Sequence, residues 1–206
     1  SHPNLAPMGL ACHIGSQITD LTPMQAAFAR MRGWVMELRA QGLSVERVDL
    51  GGGLGVPYFN QPEPPSPQDF AEMVALTMGD LKVRYTFEPG RLIAANAGAL
   101  ISRVIHVHER QDSGQQFLVI DAAMNDLIRP ALYDAYHDIR PVAKPSGNAS
   151  ATYDVVGPIC ETGDTFSRGR DLPEQKAGDL IAFMSAGAYG AVQAGTYNTR
   201  PLVPEV

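Results

Sequence analysis

"SVERVDLGGGLG", residues 44–55, decides how this chain folds. Val45, Val48 and Leu50 form a short strand-like run, and glycines at 51, 52, 53 and 55 follow it at once. Glycine leaves backbone N–H groups uncovered, so consecutive glycines after a strand make a natural cradle for an anion such as phosphate. The run matches neither the G-x-G-x-x-G fingerprint nor a Walker A loop. Alone, it is more often a tight turn.

Upstream, "MGLACHI" (8–14) reads as a strand, and from Thr22 the residues Met24, Ala27, Phe28, Met31, Val35 and Leu38 recur at helical spacing. Thr22 is the expected cap, Pro23 suits the first turn and Gly42 follows the end. Downstream, the Pro-rich stretch "FNQPEPPSP" (59–67) leads to a second helix expected to start at Ser66. There Pro67 takes the first position, and Phe70, Met73 and Val74 face inward. "VRYTFEPGR" (83–91) supplies a third strand. Strands separated by helices imply right-handed parallel crossovers, in a doubly wound sheet or a β/α barrel. Three strands alone close no barrel.

Beyond residue 100 the pattern changes. "LISRVIHVHE" (100–109), "QFLVIDAAM" (116–124), "TYDVVGPIC" (152–160) and "DLIAFMSAG" (179–187) are strand-like runs between Gly, Pro, Ser and Asn, so this half is expected to be mainly β. The boundary is expected at residues 97–101, with "KPSGNAS" (144–150) a mobile loop rather than a linker.

At 206 residues, 45% hydrophobic and 18% charged, the chain has ordinary globular composition and length for a sizeable core. A net charge of -6 without a Lys/Arg cluster argues against nucleic acid and anionic membrane as partners and for small-molecule chemistry. No apolar stretch approaches the ~18 residues of a membrane span. The start, "SHPNLAPMGL", lacks the regions of a signal peptide, so a cytoplasmic protein is expected. Cys12 and Cys160 are expected to be free thiols, and no metal site is expected.

In parallel α/β folds ligands bind beyond the carboxyl ends of the strands. The first run ends in His13, Gly15 and Ser16, the second in Gly51, Gly52, Gly53 and Gly55, the third in Glu88, Pro89, Gly90 and Arg91. These ends are expected to converge. A hydroxyl and a guanidinium are phosphate partners, so Ser16 and Arg91 shift the glycine cluster from turn toward phosphate site. Glu88 reads either as a surface carboxylate paired with Arg91, or as a carboxylate that keeps a pyridine nitrogen protonated. His13 reads as a structural group or as a flat ring stacked on a cofactor.

"CHIGSQ" (12–17), "VDLGGGLG" (48–55), "EPGR" (88–91), "RPALYDAYH" (129–137), "CETGD" (160–164) and "SAGAYG" (185–190), in this order, resemble the diaminopimelate decarboxylase family. These are pyridoxal 5'-phosphate (PLP) enzymes of the alanine-racemase-like, fold-type III class. The resemblance implies an α/β plus β chain. Residues 1–98 would be the C-terminal part of a PLP-binding, TIM-like β/α barrel, its last three strands, and residues 99–206 a mainly β domain incomplete at its end.

The resemblance also implies roles. His13 would stack on the PLP ring, and Glu88 would face its nitrogen. Ser16, Gly51, Gly52, Gly53, Gly90 and Tyr189 would hold the phosphate. Arg91, close to both anions, would serve phosphate or substrate; Arg129 and Tyr133 would bind the remote substrate carboxylate, with Tyr189 also lining the substrate site. Glu161 would take the remote ammonium, and Cys160 would return a proton to carbon. The Cys160–Glu161 segment would reach a neighbouring subunit's site, implying a homodimer with shared active sites. Without the resemblance, Arg129 and Tyr133 are no more than a surface pair on a helical turn, and Cys160 a buried apolar thiol. Thr162 stands where the resemblance leads one to expect serine.

The implied activity is decarboxylation of meso-2,6-diaminopimelate to L-lysine and carbon dioxide, the last step of lysine biosynthesis. Such an enzyme needs a lysine to carry its cofactor. Lys82, Lys144 and Lys176 all stand in unsuitable places, so the chain is expected to be an inactive fragment of its parent. The alternatives are an ornithine/arginine-type decarboxylase of the same fold, a non-catalytic regulatory relative lacking that lysine, and a phosphate-binding barrel that uses no PLP.

Overall fold

The computed structural model describes residues 3–58, 62–144 and 148–206. The chain divides into two compact units, Ser1–Pro57 with Pro62–Ile93, and Ala94–Val206 with Tyr58–Gln61.

In the first unit, β1 (Gly9–Ala11), α1 (Thr22–Ala40), β2 (Arg47–Asp49), α2 (Pro67–Met78) and β3 (Arg84–Thr86) alternate as expected, and α3 (Gly90–Ala94) follows. The strands are parallel in the order β1-β2-β3, with Leu10 opposite Val48 and Val48 opposite Tyr85. Met24, Phe28, Met31 and Val35 fall on one face of α1, at the spacing that a 3.6-residue repeat requires, and all four are buried. They pack with Val48 of the central strand, with Leu50 just after it and with Met73, Val74 and Met78 of α2. Full burial of each such side chain contributes roughly 1.5–3 kcal/mol, so this face holds α1 far more firmly than helix propensity does.

The second helix starts as its sequence predicts. Ser66 accepts the Asp69 N–H at 3.1 Å while the Asp69 carboxylate accepts the Ser66 N–H at 2.9 Å, a reciprocal capping box with Pro67 in the first turn. The start of α1 differs from expectation. Thr22 is already helical and Leu21 is the cap residue, because Asp20 accepts both the Thr22 N–H (2.9 Å) and its hydroxyl (2.8 Å). A carboxylate two residues ahead takes the amide that a Thr22 cap was expected to leave exposed.

The second unit is built on a six-stranded sheet ordered β6-β9-β4-β5-β7-β8. Its strands are β4 (Leu100–Glu109), β5 (Gln116–Ile120), β6 (Ile139–Pro141), β7 (Ser150–Val156), β8 (Thr165–Pro173) and β9 (Leu180–Phe183), with α4 (Arg129–Tyr133) between β5 and β6. The β5–β7 pair is parallel and the other pairs are antiparallel. β4 pairs with β9 over Leu100–Arg103 and with β5 from Val104 onward, with a register shift between Val104 and His106. Val104, Leu118, Ile120, Tyr153, Val155, Phe166, Leu172, Ile181 and Phe183 form its core, and the Phe166 and Phe183 rings lie 4.7 Å apart.

The mainly β reading of this half holds. β6 and β8 were not expected, since β6 contains a proline and "TFSRGRDLP" offers only Phe166 and Leu172 as buried apolar residues. β6 lies at a sheet edge, where a missing N–H is tolerated. Part of the expected 144–150 loop, residues 145–147, lies outside the described residues. Among the described residues no helix is long and apolar enough to cross a membrane.

Candidate functional site

The three strand ends of the first unit converge, as their composition predicts. Beyond β2 the backbone threads between the other two ends: Cys12 donates its N–H to the Asp49 carbonyl (3.0 Å), Leu50 to Thr86 (3.0 Å) and Glu88 to Gly51 (2.8 Å). The Ile18 N–H reaches the Gly53 carbonyl at 2.9 Å, and Gln17 bridges to Val56 through both ends of its amide. The glycines are what permit this closeness. A Cβ on Gly51 would meet the Cys12 carbonyl, one on Gly52 the Glu88 carbonyl, and one on Gly53 the Gly15 carbonyl. Gly51 and Gly53 also have φ of +66° and +106°, where other residues are strained.

Side chains complete the cluster. The Gly52 N–H donates to His13 Nδ1 at 3.2 Å, so the acceptor nitrogen is defined. Arg91, at the start of α3, donates to the Ser16 hydroxyl from Nη2 (2.9 Å) and Nε (3.3 Å). A hydroxyl and a guanidinium beside a glycine turn, on one set of loops, are groups that can donate to a phosphate monoester. The Glu88 and His13 side chains are both exposed. Cys12 lies beneath, half-buried; burial pushes its thiol above the ordinary range, and the negative charge of Asp49 adds to that. Asp49 also accepts the Gly51 N–H at 2.8 Å.

The second unit carries the remaining expected residues. Arg129 is no surface group: it is 6% exposed, and its Nη1 donates to His137 Nε2 at 2.9 Å. Since arginine only donates, His137 must accept there and give its Nδ1–H to the Met184 carbonyl, also 2.9 Å away. The Arg129 guanidinium lies 5.2 Å from the Tyr58 ring centroid. Tyr133, on the same short helix, is 63% exposed. Tyr189 has φ +60° and Ser185 φ +55°, left-handed conformations in a segment that Ala186 ties to Gly98 and Gly187 to Ala95. Strain of this kind is held where surrounding structure imposes it.

Cys160 and Glu161 stand on the connection between β7 and β8, and both are exposed; the buried-thiol reading of Cys160 does not hold. Asp164 organises this connection, although its place in "CETGD" drew no role from the sequence. It is 2% exposed, and its carboxylate accepts the Ile159 N–H at 2.7 Å and the Met124 N–H at 2.6 Å. Burial raises its carboxyl above the usual range, while those two N–H bonds and nearby Arg200 pull it down. His137 and Asp49 were likewise unassigned. For Asp49 a signal existed, since an aspartate two residues before a glycine favours a side-chain-to-backbone turn.

The first unit brings parallel strand ends together in a glycine-rich turn, and a mixed, mainly antiparallel sheet unit follows it in the chain. The chain belongs to the pyridoxal-dependent decarboxylase family: residues 17–187 match the family model described as "Pyridoxal-dependent decarboxylase, C-terminal sheet domain". It is 51% identical to the diaminopimelate decarboxylase of Zymomonas mobilis and 47% identical to that of Vibrio cholerae, each across 100% of this chain and 48% of the relative. It is also similar to the crystal structure of diaminopimelate decarboxylase from Helicobacter pylori complexed with L-lysine. There the TM-score is 0.89 at 38% identity, covering 96% of this chain and 48% of that one. The chain thus spans about half the length of these relatives.

Proposed function

We propose that the complete protein to which this chain belongs removes the carboxylate at the D centre of meso-2,6-diaminopimelate, giving L-lysine and carbon dioxide, with PLP as cofactor. The observation that carries the reading is the Ser16–Arg91 pair on the loops that close against the glycine turn Gly51–Gly53, where no side chain covers the backbone. The identity of whole-chain relatives supports the substrate.

The chemistry PLP supplies when bound is a sink for the electrons left on carbon as carbon dioxide departs. Ser16, Gly51, Gly52, Gly53, Gly90 and Tyr189 would hold its phosphate, with Arg91 as a further anion partner. His13 offers a flat ring, its Nδ1 engaged by Gly52, that would stack on the cofactor ring, and the Glu88 carboxylate would face the pyridine nitrogen and favour its protonated form. Arg129, Tyr133 and Arg91 hold the carboxylate remote from the reacting carbon, Tyr189 lines the substrate site, and Glu161 takes the remote ammonium. Cys160 delivers the proton that replaces the lost carboxylate. The lysine that carries the cofactor comes from outside this chain. Lys82 precedes β3, at the opposite end of the strand from Glu88, Lys144 stands in the connection between β6 and β7, and Lys176 in the turn between β8 and β9. On this reading the 206-residue chain alone is inactive, and the complete protein would be a cytoplasmic homodimer with shared active sites.

The test is carbon dioxide release by the purified full-length protein supplied with PLP. Release from meso-diaminopimelate, well above that from ornithine or arginine, is expected. Release from ornithine or arginine alone would overturn the substrate, and no release from any of the three would overturn the activity.

A further inference from the structure

We infer that Asp164 is a positioning residue, whose buried carboxylate clamps the connection bearing Cys160 and Glu161 onto the turn that leads to the Arg129 helix. The inference rests on the roles proposed above for Cys160 and Glu161.

The geometry is specific. β7 ends at Val156 and β8 begins at Thr165, and Asp164 stands at the base of the connection between them. Its backbone closes that base, accepting the Gly157 N–H at 2.9 Å and donating to the Glu161 carbonyl at 3.0 Å. Its two carboxylate oxygens then diverge, Oδ2 to Ile159 within the connection and Oδ1 to Met124 on the turn after β5. That turn is itself closed by Asp126, which accepts the Ala123 N–H at 2.8 Å, and α4 with Arg129 and Tyr133 begins five residues after Met124. One carboxylate therefore joins two segments that carry proposed substrate and proton groups.

The surroundings are shaped for it. A Cβ on Gly157 would collide with both Asp164 oxygens, so a glycine there makes the space. The Ile159 side chain is buried and anchors the near side of the connection, leaving Cys160 and Glu161 as its exposed groups. A buried carboxylate with two backbone donors is costly to desolvate and rewarding only when both bonds are kept. Asparagine fits the volume, but it turns an NH2 toward one of the two N–H groups and so releases one side of the clamp.

The experiment uses the full-length protein with PLP and has three arms. In the first, Asp164→Asn is expected to lower kcat by roughly tenfold or more while the KM changes little, and the Cys160→Ala/Asp164→Asn double variant is expected to be no slower than Cys160→Ala. Multiplying losses in the double variant, or an unchanged kcat in Asp164→Asn, would overturn the inference. If Cys160→Ala left kcat unchanged, the proton role of Cys160 would fail, and the second arm would still decide the clamp. That arm measures the alkylation rate of Cys160 by iodoacetamide, mapped by mass spectrometry, in the parent, Asp164→Asn and Gly157→Ala. A several-fold change in both variants supports the clamp, and an unchanged rate in both refutes it. The third arm needs no variant: the Ile159 and Met124 amides should exchange hydrogen far more slowly than the exposed Thr162 amide. Equal rates would refute the clamp.

Discussion

Gly52 gives its N–H to Nδ1 of His13, at 3.2 Å, across 39 residues of sequence. The end of the central strand thereby orients the ring at the end of the first, and the ring N–H is left on Nε2. Removing the ring should weaken the site without loosening the strands, which the backbone bonds hold. His13→Ala in the full-length protein is expected to weaken PLP binding by about tenfold, read by absorbance titration, with no change in the unfolding midpoint. Unchanged cofactor affinity would show that His13 is structural.

Gly52 and Gly90 separate fold from function. Gly52→Ala drives a methyl into the Glu88 carbonyl, so it should destabilise by about 1–3 kcal/mol in thermal or urea unfolding. A methyl added at Gly90 meets nothing within 4 Å, and the residue opens α3, so Gly90→Ala should leave stability within about 0.5 kcal/mol. If Gly90 holds phosphate, the same substitution still weakens PLP binding. Equal stability losses in the two variants would contradict the close approach at Gly52.

The capping box at α2 makes a third expectation. Ser66→Ala removes the acceptor for the Asp69 N–H and should cost about 1 kcal/mol of stability, measured as a lowered urea midpoint at constant slope. Thr22→Ala should cost less, because Asp20 still accepts the backbone N–H there.

Cys12 should react late in a pH series. Burial first, and Asp49 second, favour its neutral thiol, so the thiolate appears only above the ordinary thiol range. Alkylation by iodoacetamide should be slow near neutrality and still climbing in the alkaline region. Asp49→Asn should move that climb to lower pH, because it removes the nearby negative charge. A climb that moved the other way would reverse the electrostatic account.

The first unit was legible because its signals are local. The Met24, Phe28, Met31 and Val35 repeat, the Ser66-Pro67 start and the glycines after Leu50 each act within a few residues, and each appears where expected. The cap of α1 was misplaced by a single competing carboxylate at Asp20. β8 was hidden because its charged residues and Gly169 carry little β preference, and its pairing with β7 outweighs that preference.

Local pattern and motifs were enough for the alternation of parallel strands and helices, the change to β beyond residue 100, the meeting of the three strand ends and the family. They were enough because periodicity, caps and motifs act at short range. Tertiary structure alone decided that β5 and β7 run parallel, that Gly52 meets His13, that Arg129 is buried against His137, and that Asp164 grips both Ile159 and Met124. Gly52 and His13, Asp164 and Met124, and the β5–β7 pair are far apart in the chain, while Arg129 with His137 and Asp164 with Ile159 are nearer but fixed by burial. Their partners are selected by packing and by the need to satisfy buried polar groups, neither of which leaves a periodic mark on the sequence.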